Sequence, residues 1–234
     1  MTDIEYLKKY LDPDKLSDGI EKLNNDIPVQ YIVGNVDFCG NIIEVNENVL
    51  IPRFETEELV NKAIEYLSIF DNPHIVDIGT GSGCIAITLK KKINCVVDAV
   101  DISKEALNIA KNNALRNDVK INFYLGNILD KSNKKYDCII SNPPYIGKDE
   151  EIMGIVKNNE PHIALYADNN GLYYYEEILS KCKNYLKDKY LIAFEIGYNQ
   201  SEEIKQLALK YLGNCEIKIE KDMQGKDRFC FIKN

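Results

Sequence analysis

From His74 onward, short apolar runs alternate with longer stretches of helical period. His74-Ile75-Val76-Asp77-Ile78, Cys95-Val96-Val97-Asp98-Ala99-Val100, Ile121-Asn122-Phe123-Tyr124-Leu125, Tyr136-Asp137-Cys138-Ile139-Ile140-Ser141 and Tyr190-Leu191-Ile192-Ala193-Phe194-Glu195-Ile196 read as five strands, most of them near-continuously apolar. Such runs suit parallel strands buried on both faces. Helices are predicted from Cys84 to Leu89, Lys104 to Arg116, Leu172 to Leu186 and Ser201 to Tyr211. Ser201 is placed to cap the last of these, with Glu202 and Glu203 in its first turn. Then Cys215-Glu216-Ile217-Lys218-Ile219-Glu220 alternates with period two, and Arg228-Phe229-Cys230-Phe231-Ile232 follows the turn residues Gln224-Gly225. Two strands without an intervening helix pair antiparallel at a sheet edge. The prediction is an α/β fold, a Rossmann-like seven-stranded mixed sheet covered by helices.

Ahead of this core the pattern divides. Residues 1–27 form a short helical segment, with a pair of short helices between Asp3 and Asn25. Residues 28–52 read as a β-hairpin connection. It starts at Pro28-Val29-Gln30-Tyr31-Ile32-Val33-Gly34, alternates over Asn41-Ile42-Ile43-Glu44-Val45 and turns at Asn46-Glu47-Asn48. Residues 53–234 make the large domain, beginning with an amphipathic helix that runs through Phe70. A buried Arg53 at the start of that helix is costly unless paired, so it either orients Glu or Asp groups near a site or sits exposed.

The candidate chemistry gathers at strand ends. After the first strand comes Gly79-Thr80-Gly81-Ser82-Gly83, where glycine lets the backbone turn tightly and approach a ligand closely. A dinucleotide fingerprint would need glycine at position 84, where Cys stands, and no Gly-Lys-Ser/Thr follows to make a P-loop. From Asp77 the spacing is D-x-G-x-G-x-G, which suits S-adenosylmethionine, with Asp77 receiving the ammonium of its amino-acid tail. Asp101 ends the second strand about twenty residues past the loop, in position to accept both ribose hydroxyls, while Ile102 packs on the adenine. Asp101 is free for this because Ser103 can cap the next helix. Gly126-Asn127-Ile128, after the third strand, marks the adenine edge.

The fourth strand ends in Asn142-Pro143-Pro144-Tyr145. Two prolines fix φ and remove two donors, leaving carbonyls free to accept from a guest. The Asn142 side chain adds an acceptor and Tyr145 a flat face, a combination that suits an NH2 group on a planar π-system. An ordinary strand-to-loop turn is the bland alternative. What weighs against it is order, because all four features fall at carboxyl ends of strands, which form one ligand crevice in an open doubly wound sheet. This arrangement points to a class I S-adenosylmethionine-dependent methyltransferase core.

Composition narrows the partners. The 234 residues carry a net charge of −8, with lysines scattered, which points away from direct nucleic acid binding. The nearest basic run, Lys131 to Lys135, reads as a solvated loop. Met1-Thr2-Asp3-Ile4-Glu5 lacks the basic start and apolar core of a signal peptide, and no apolar stretch is long enough to span a bilayer. Seven cysteines, mostly inside apolar runs and without a C-x-x-C pair, read as buried thiols in a reducing cytoplasm rather than disulfides or zinc ligands. With two histidines, of which His74 reads as structural, no metal centre is expected.

These segments together resemble the protein-(glutamine-N5) methyltransferases that modify bacterial peptide chain release factors. The resemblance runs from about Pro28 to the C-terminus. It rests on Pro28 to Gly34, Ile51-Pro52-Arg53-Phe54-Glu55-Thr56-Glu57, Asp77 to Gly83, Ser141 to Tyr145, Glu160-Pro161 with Ala164-Leu165, and Glu195-Ile196-Gly197. It implies methyl transfer from S-adenosylmethionine to the side-chain nitrogen of the glutamine in a Gly-Gly-Gln motif. Asn142, Pro143 and Tyr145 would be catalytic, and the same stretch with Pro144 and Arg53 would bind the glutamine. Asp77, Gly79, Thr80, Gly81, Ser82, Gly83, Asp101, Ile102, Asn127, Ile128 and Asn142 would bind the cofactor. The family usually has Pro at the position of Phe54, Asp at that of Asn127 and a full helical domain ahead of the Pro-x-Gln-Tyr motif. Rival readings are a ribosomal-protein glutamine methyltransferase and an adenine-N6 DNA methyltransferase, which would flip its base from the duplex.

Overall fold

The computed structural model describes residues 2–130 and 133–234. Part of the basic run from Lys131 to Lys135 therefore lies outside the described residues. The chain begins with α1 (Asp3–Tyr10) and α2 (Leu16–Asn24), joined by a turn of 3₁₀-helix at Pro13–Lys15. Thr2 and Glu5 form a reciprocal capping box on α1.

The segment after Pro28 departs from expectation. Val29–Val33 is a short helix, α3, rather than the start of a strand. Pro28 supplies an N-cap φ of −54°, and Gly34 ends the helix at φ +81°, its amide donating to the Gln30 carbonyl. A proline before and a left-handed glycine after are helix boundaries, and here they outweigh the β-branched content between them. The hairpin is confined to β1 (Asn35–Phe38) and β2 (Asn41–Glu44), paired antiparallel.

Helix α4 (Phe54–Leu67) leads to the sheet and ends three residues before Phe70, in a turn where the Phe70 amide reaches the Leu67 carbonyl. Then follow β3 (His74–Ile78), α5 (Cys84–Lys92), β4 (Val96–Asp101), α6 (Lys104–Arg116), β5 (Asn122–Leu125) and β6 (Tyr136–Ser141). A small excursion holds β7 (Ile146–Gly147), α7 (Gly154–Asn159), α8 (His162–Leu165) and β8 (Tyr166–Ala167), with β7 and β8 paired to each other. The chain closes with α9 (Tyr173–Cys182), β9 (Leu186–Glu195), α10 (Ser201–Leu212), β10 (Glu216–Lys221) and β11 (Asp227–Lys233).

Two boundaries differ from the pattern in ways that have causes. The helix expected from Leu172 to Leu186 stops at Cys182, and Leu186 is already the first residue of β9, opposite Tyr136 of β6. Leu186 is buried as a strand residue, so apolar periodicity alone could not exclude it from the helix. In α10 the N-cap is Gln200, not Ser201. The Gln200 side chain turns back, accepting from the Gly197 amide at 3.0 Å and donating to the Tyr145 and Asn170 carbonyls.

The seven-stranded sheet has the order β10-β11-β9-β6-β3-β4-β5, with β11 antiparallel to both its neighbours and the remaining pairs parallel. Alternate strand residues feed two cores. Ile75, Val97, Ile140, Ala193 and Phe231 pack under α4, α5 and α6 with the hairpin residues Phe38 and Ile43. Val76, Val100, Ile139, Phe194 and Cys230 pack under α9 and α10. From β3 the chain moves outward through β4 to β5, then returns to place β6 on the other side of β3. That reversal opens a crevice beyond the carboxyl ends of β3 and β6, where open α/β sheets bind ligands. Among the described residues no helix is long and apolar enough to cross a membrane.

Candidate active site

Ser141 joins the two strands at the crevice, its hydroxyl donating to the Ile78 carbonyl at 2.6 Å. Above this bond lies a pocket of about 1000 Å³, counted with its open mouth. Gly79, Thr80, Gly81 and Ser82 form one wall, Asp101, Ile102, Asn127 and Ile128 another, and Asn142 with Pro144 a third. Gly83, Asp77, Pro143, Tyr145 and Arg53 are not part of the lining.

The glycine loop is held from three sides. Gly79 and Gly81 have φ of +71° and +54°, and a Cβ built on either would meet no heavy atom within 4 Å. The loop thus presents bare backbone to open space. Asp101 Oδ2 accepts the Gly81 amide at 2.8 Å, while Oδ1 accepts the Ser103 amide at 2.9 Å. Ser103 itself caps α6, its hydroxyl accepting from the Ala106 amide. Asn113, buried on α6, donates to the Ser82 carbonyl and exchanges hydrogen bonds with the backbone of Glu44 in the hairpin. Asn113 carried no sequence signal beyond a polar residue on a helix, and its role exists only because the hairpin packs there.

Asp77 is sealed beneath the loop rather than in the lining. It is fully buried, its Oδ2 accepts the Thr80 hydroxyl at 2.6 Å, and its Oδ1 has no hydrogen-bond partner among the described residues. Burial pushes its pKa up to about 7, opposed by the Thr80 hydrogen bond and reinforced by nearby Asp101. Burial also raises the pKa of Asp101, against the backbone amides it accepts.

Behind Asn142 is a second set of buried polar groups. Asn142 Nδ2 donates to the Thr56 hydroxyl at 3.0 Å, and that hydroxyl donates to Glu195 Oε2 at 2.7 Å. The Tyr145 hydroxyl reaches Glu195 Oε1 at 3.4 Å. Glu195 is buried, which pushes its pKa up to about 7 against the pull of Thr56 and Arg228. Next to the lining residues Pro52 and Pro161, Arg53 pairs with the buried Glu160, whose Oε2 also accepts the Ile51 amide at 3.1 Å. Of the two readings left open for Arg53, the structure has the paired one. Thr56, Glu160 and Glu195 stood inside stretches that carried the resemblance, but nothing in the sequence tied them to particular partners. Tyr174 of α9 lines the pocket without any sequence signal.

Residues 38–159 match the methyltransferase small domain family. The release factor glutamine methyltransferase of Bacillus subtilis is 42% identical over 219 residues, covering 89% of this chain and 76% of that protein. The chain belongs to the release factor glutamine methyltransferase family. A second member, from Staphylococcus aureus, is 44% identical over 212 residues, which is 88% of this chain and 76% of that protein. The crystal structure of the release factor-specific protein-(glutamine-N5) methyltransferase from Alicyclobacillus acidocaldarius superimposes with a TM-score of 0.52 at 26% identity, over 82% of this chain and 98% of that one. A methyltransferase from Pyrococcus furiosus shares the fold at TM-score 0.63 and 21% identity, over 83% and 89% of the two chains.

The pocket fits the S-adenosylmethionine of this family. The bare backbone of the glycine loop and the buried Asp77 carboxyl beneath it, partly satisfied by Thr80, suit a zwitterionic tail. Asp101 keeps spare lone pairs for two ribose hydroxyls, since each of its oxygens accepts one backbone amide. Val100, Ile102 and Ile128 give the far end an apolar surface for a flat base.

Proposed function

We propose that this chain transfers a methyl group from S-adenosylmethionine to the side-chain amide nitrogen of the glutamine in the Gly-Gly-Gln motif of a peptide chain release factor. One observation carries the reading to this site: the Asn142 and Pro144 wall and the Gly79–Ser82 wall line the same pocket. Methyl donor and amide acceptor can therefore meet inside it.

When bound, S-adenosylmethionine supplies an electrophilic sulfonium methyl. The loop from Gly79 to Gly83 would hold its tail, and Asp77, buried beneath the loop, would favour the ammonium there. Asp101 takes the ribose, and Ile102, Asn127 and Ile128 take the adenine. An amide nitrogen is a poor nucleophile because its lone pair is delocalised into the carbonyl. Asn142 Oδ1 and the Pro143 carbonyl accept the two N–H bonds, which orients the nitrogen and raises its electron density. Tyr145 and Pro144 bound the amide plane, and Arg53 with Glu160 shapes the mouth through which the glutamine enters. Held by Asn142 and Pro143, the glutamine nitrogen would receive the methyl that S-adenosylmethionine supplies as its sulfonium becomes a thioether, and the nitrogen would give up one proton to solvent. Positioning is the main contribution, worth up to ~7–11 kcal/mol in favourable cases. Acceptors aimed at the developing positive charge add to it. A net charge of −8 favours a protein substrate over nucleic acid, and the reaction would take place in the cytoplasm.

The test is incubation of the purified chain with labelled S-adenosylmethionine and its own organism's release factor, followed by peptide mass mapping. One added methyl on the Gly-Gly-Gln glutamine is expected. Transfer instead to ribosomal protein or to duplex DNA, run in parallel, would overturn the substrate assignment.

A further inference from the structure

Thr56 stands in the first turn of α4, yet it lines the pocket beside Asn142. Its hydroxyl links the Asn142 amide to the carboxylate of Glu195, whose second oxygen faces the Tyr145 hydroxyl. Glu195 lies next to Asn142 because β9 runs beside β6, with Phe194 opposite Ser141. We propose that Thr56 and Glu195 are positioning residues that decide which end of the Asn142 amide faces the substrate, an inference that rests on the glutamine methylation proposed above.

A carboxylate can only accept hydrogen bonds, and a hydroxyl has one proton to give. With that proton given to Glu195, Thr56 can only accept from Asn142. Asn142 must therefore turn Nδ2 toward Thr56, which leaves Oδ1 for the incoming NH2. The two ends of an Asn amide are nearly equal in shape, so packing alone selects neither. In the reversed orientation an N–H donor would confront the substrate's own N–H donors, and the glutamine would lose an acceptor. The same carboxylate, through its other oxygen, restrains the Tyr145 ring. One residue outside the Asn-Pro-Pro-Tyr stretch thus fixes both of its polar side chains.

This device depends on the charge of Glu195. Arg228 on β11 favours the ionised form, Glu55 on α4 opposes it, and the hydroxyls of Thr56 and Tyr145 support it. The Tyr175 hydroxyl is engaged by the Glu195 backbone carbonyl at 2.8 Å instead. A protonated Glu195 can donate to Thr56, which frees the Thr56 proton and lets the Asn142 amide turn either way.

The experiment compares wild type, Thr56→Val, Thr56→Ser and Glu195→Gln in the release-factor assay, with S-adenosylhomocysteine affinity measured by calorimetry on each. Thr56→Val keeps the side-chain volume and loses the hydroxyl, so kcat should fall about 100-fold, the scale of a misplaced reacting group. Cofactor-product affinity should stay within about twofold, and Thr56→Ser should restore kcat to within about threefold, because it keeps the hydroxyl. At saturating cofactor the wild-type kcat should rise with pH near neutrality, and Glu195→Gln should lower kcat and remove that rise. The positioning role is overturned if Thr56→Val keeps wild-type kcat, if Thr56→Ser is as slow as Thr56→Val, or if kcat and affinity fall in step. Absence of transfer by wild type overturns the glutamine reading and this one together, whereas the preceding outcomes with an active wild type overturn the positioning role alone.

Discussion

Arg53 and Glu160, separated by 107 positions, form an ion pair between the neighbours of the pocket-lining Pro52 and Pro161, and the remaining Glu160 oxygen accepts the amide of Ile51. Glu160 is almost fully enclosed, with its side chain 1% exposed against 35% for Arg53. One carboxylate thereby ties the segment before α4 to the excursion between β7 and β8. Removing one partner from a buried pair costs ~3–5 kcal/mol, because the other charge is left without compensation. The partial exposure of Arg53 reduces this to ~1–3 kcal/mol. Arg53→Ala should lower the urea midpoint accordingly, and the double variant Arg53→Ala/Glu160→Gln should recover part of the loss. A double variant less stable than Arg53→Ala would show that the ion pair is not the source.

Asn142→Ala should abolish turnover while leaving S-adenosylmethionine binding largely intact. On the proposed reading the side chain contributes the acceptor for the substrate amide, whereas the cofactor would be held mainly by the loop and by Asp101. Methyl transfer and calorimetry on the same preparation separate the two effects. Normal turnover would remove Asn142 from its assigned role.

Gly171 packs directly against the backbone of the Asn-Pro-Pro-Tyr stretch. Its φ is +83°, and an added Cβ would stand 2.0 Å from the Tyr145 carbonyl oxygen and 2.5 Å from Gln200 Nε2. Gln200 donates to that same carbonyl at 2.9 Å, so the loop has no free direction in which to yield. Gly171→Ala combines left-handed strain with overpacking and should cost ~2–4 kcal/mol. It should also lower kcat, because Tyr145 and its neighbours must shift. Equilibrium unfolding and steady-state kinetics test both, and an unaffected kcat would disconnect this loop from the site.

Two buried carboxyls should make the cofactor-free protein less stable as pH rises. Asp77 and Glu195 both have pKa values pushed up to about 7 by burial, from ordinary values of 3.8 and 4.5. A folded-state pKa above the unfolded one means that the folded chain holds its proton more tightly. The resulting stability is full below about pH 4 and is lost as pH climbs to about 7. Glu195→Gln removes its share, so the melting temperature of the variant relative to wild type should rise between about pH 4 and about pH 7 and level off above that. If Asp77 meets the ammonium of S-adenosylmethionine as proposed, the cofactor should weaken the part due to Asp77. A pH-independent difference would contradict the buried-charge account.

Much of the fold could be read along the chain because parallel strands and their helices leave local marks. The β3 run into Gly79–Gly83 and the α6 boundaries at Lys104 and Arg116 are set by apolar period, glycine and a serine cap. Local marks fail where two structures share one pattern. Val29–Val33 has strand-like residues inside helix boundaries, and Leu186 is equally apolar as the end of a helix or the start of a strand. Gln200 stands at the cap position ahead of Ser201, and its side chain, rather than capping the helix, answers to Gly197 and Tyr145, which lie outside it.

By itself the sequence determined the residue types of the site: the glycine loop, the acid after the second strand and the proline-rich acceptor turn. Each of these is a short-range property, since glycine and proline act on their own φ and a strand end is marked by its neighbours. Tertiary structure alone decided the partners. β6 returns beside β3, so Asn142 faces the glycine loop, and β9 runs beside β6, so Glu195 comes behind Asn142 and meets Thr56 across 139 positions. Hydrogen-bond partners so far apart leave no trace in local composition, because only the closing of the sheet brings them within reach.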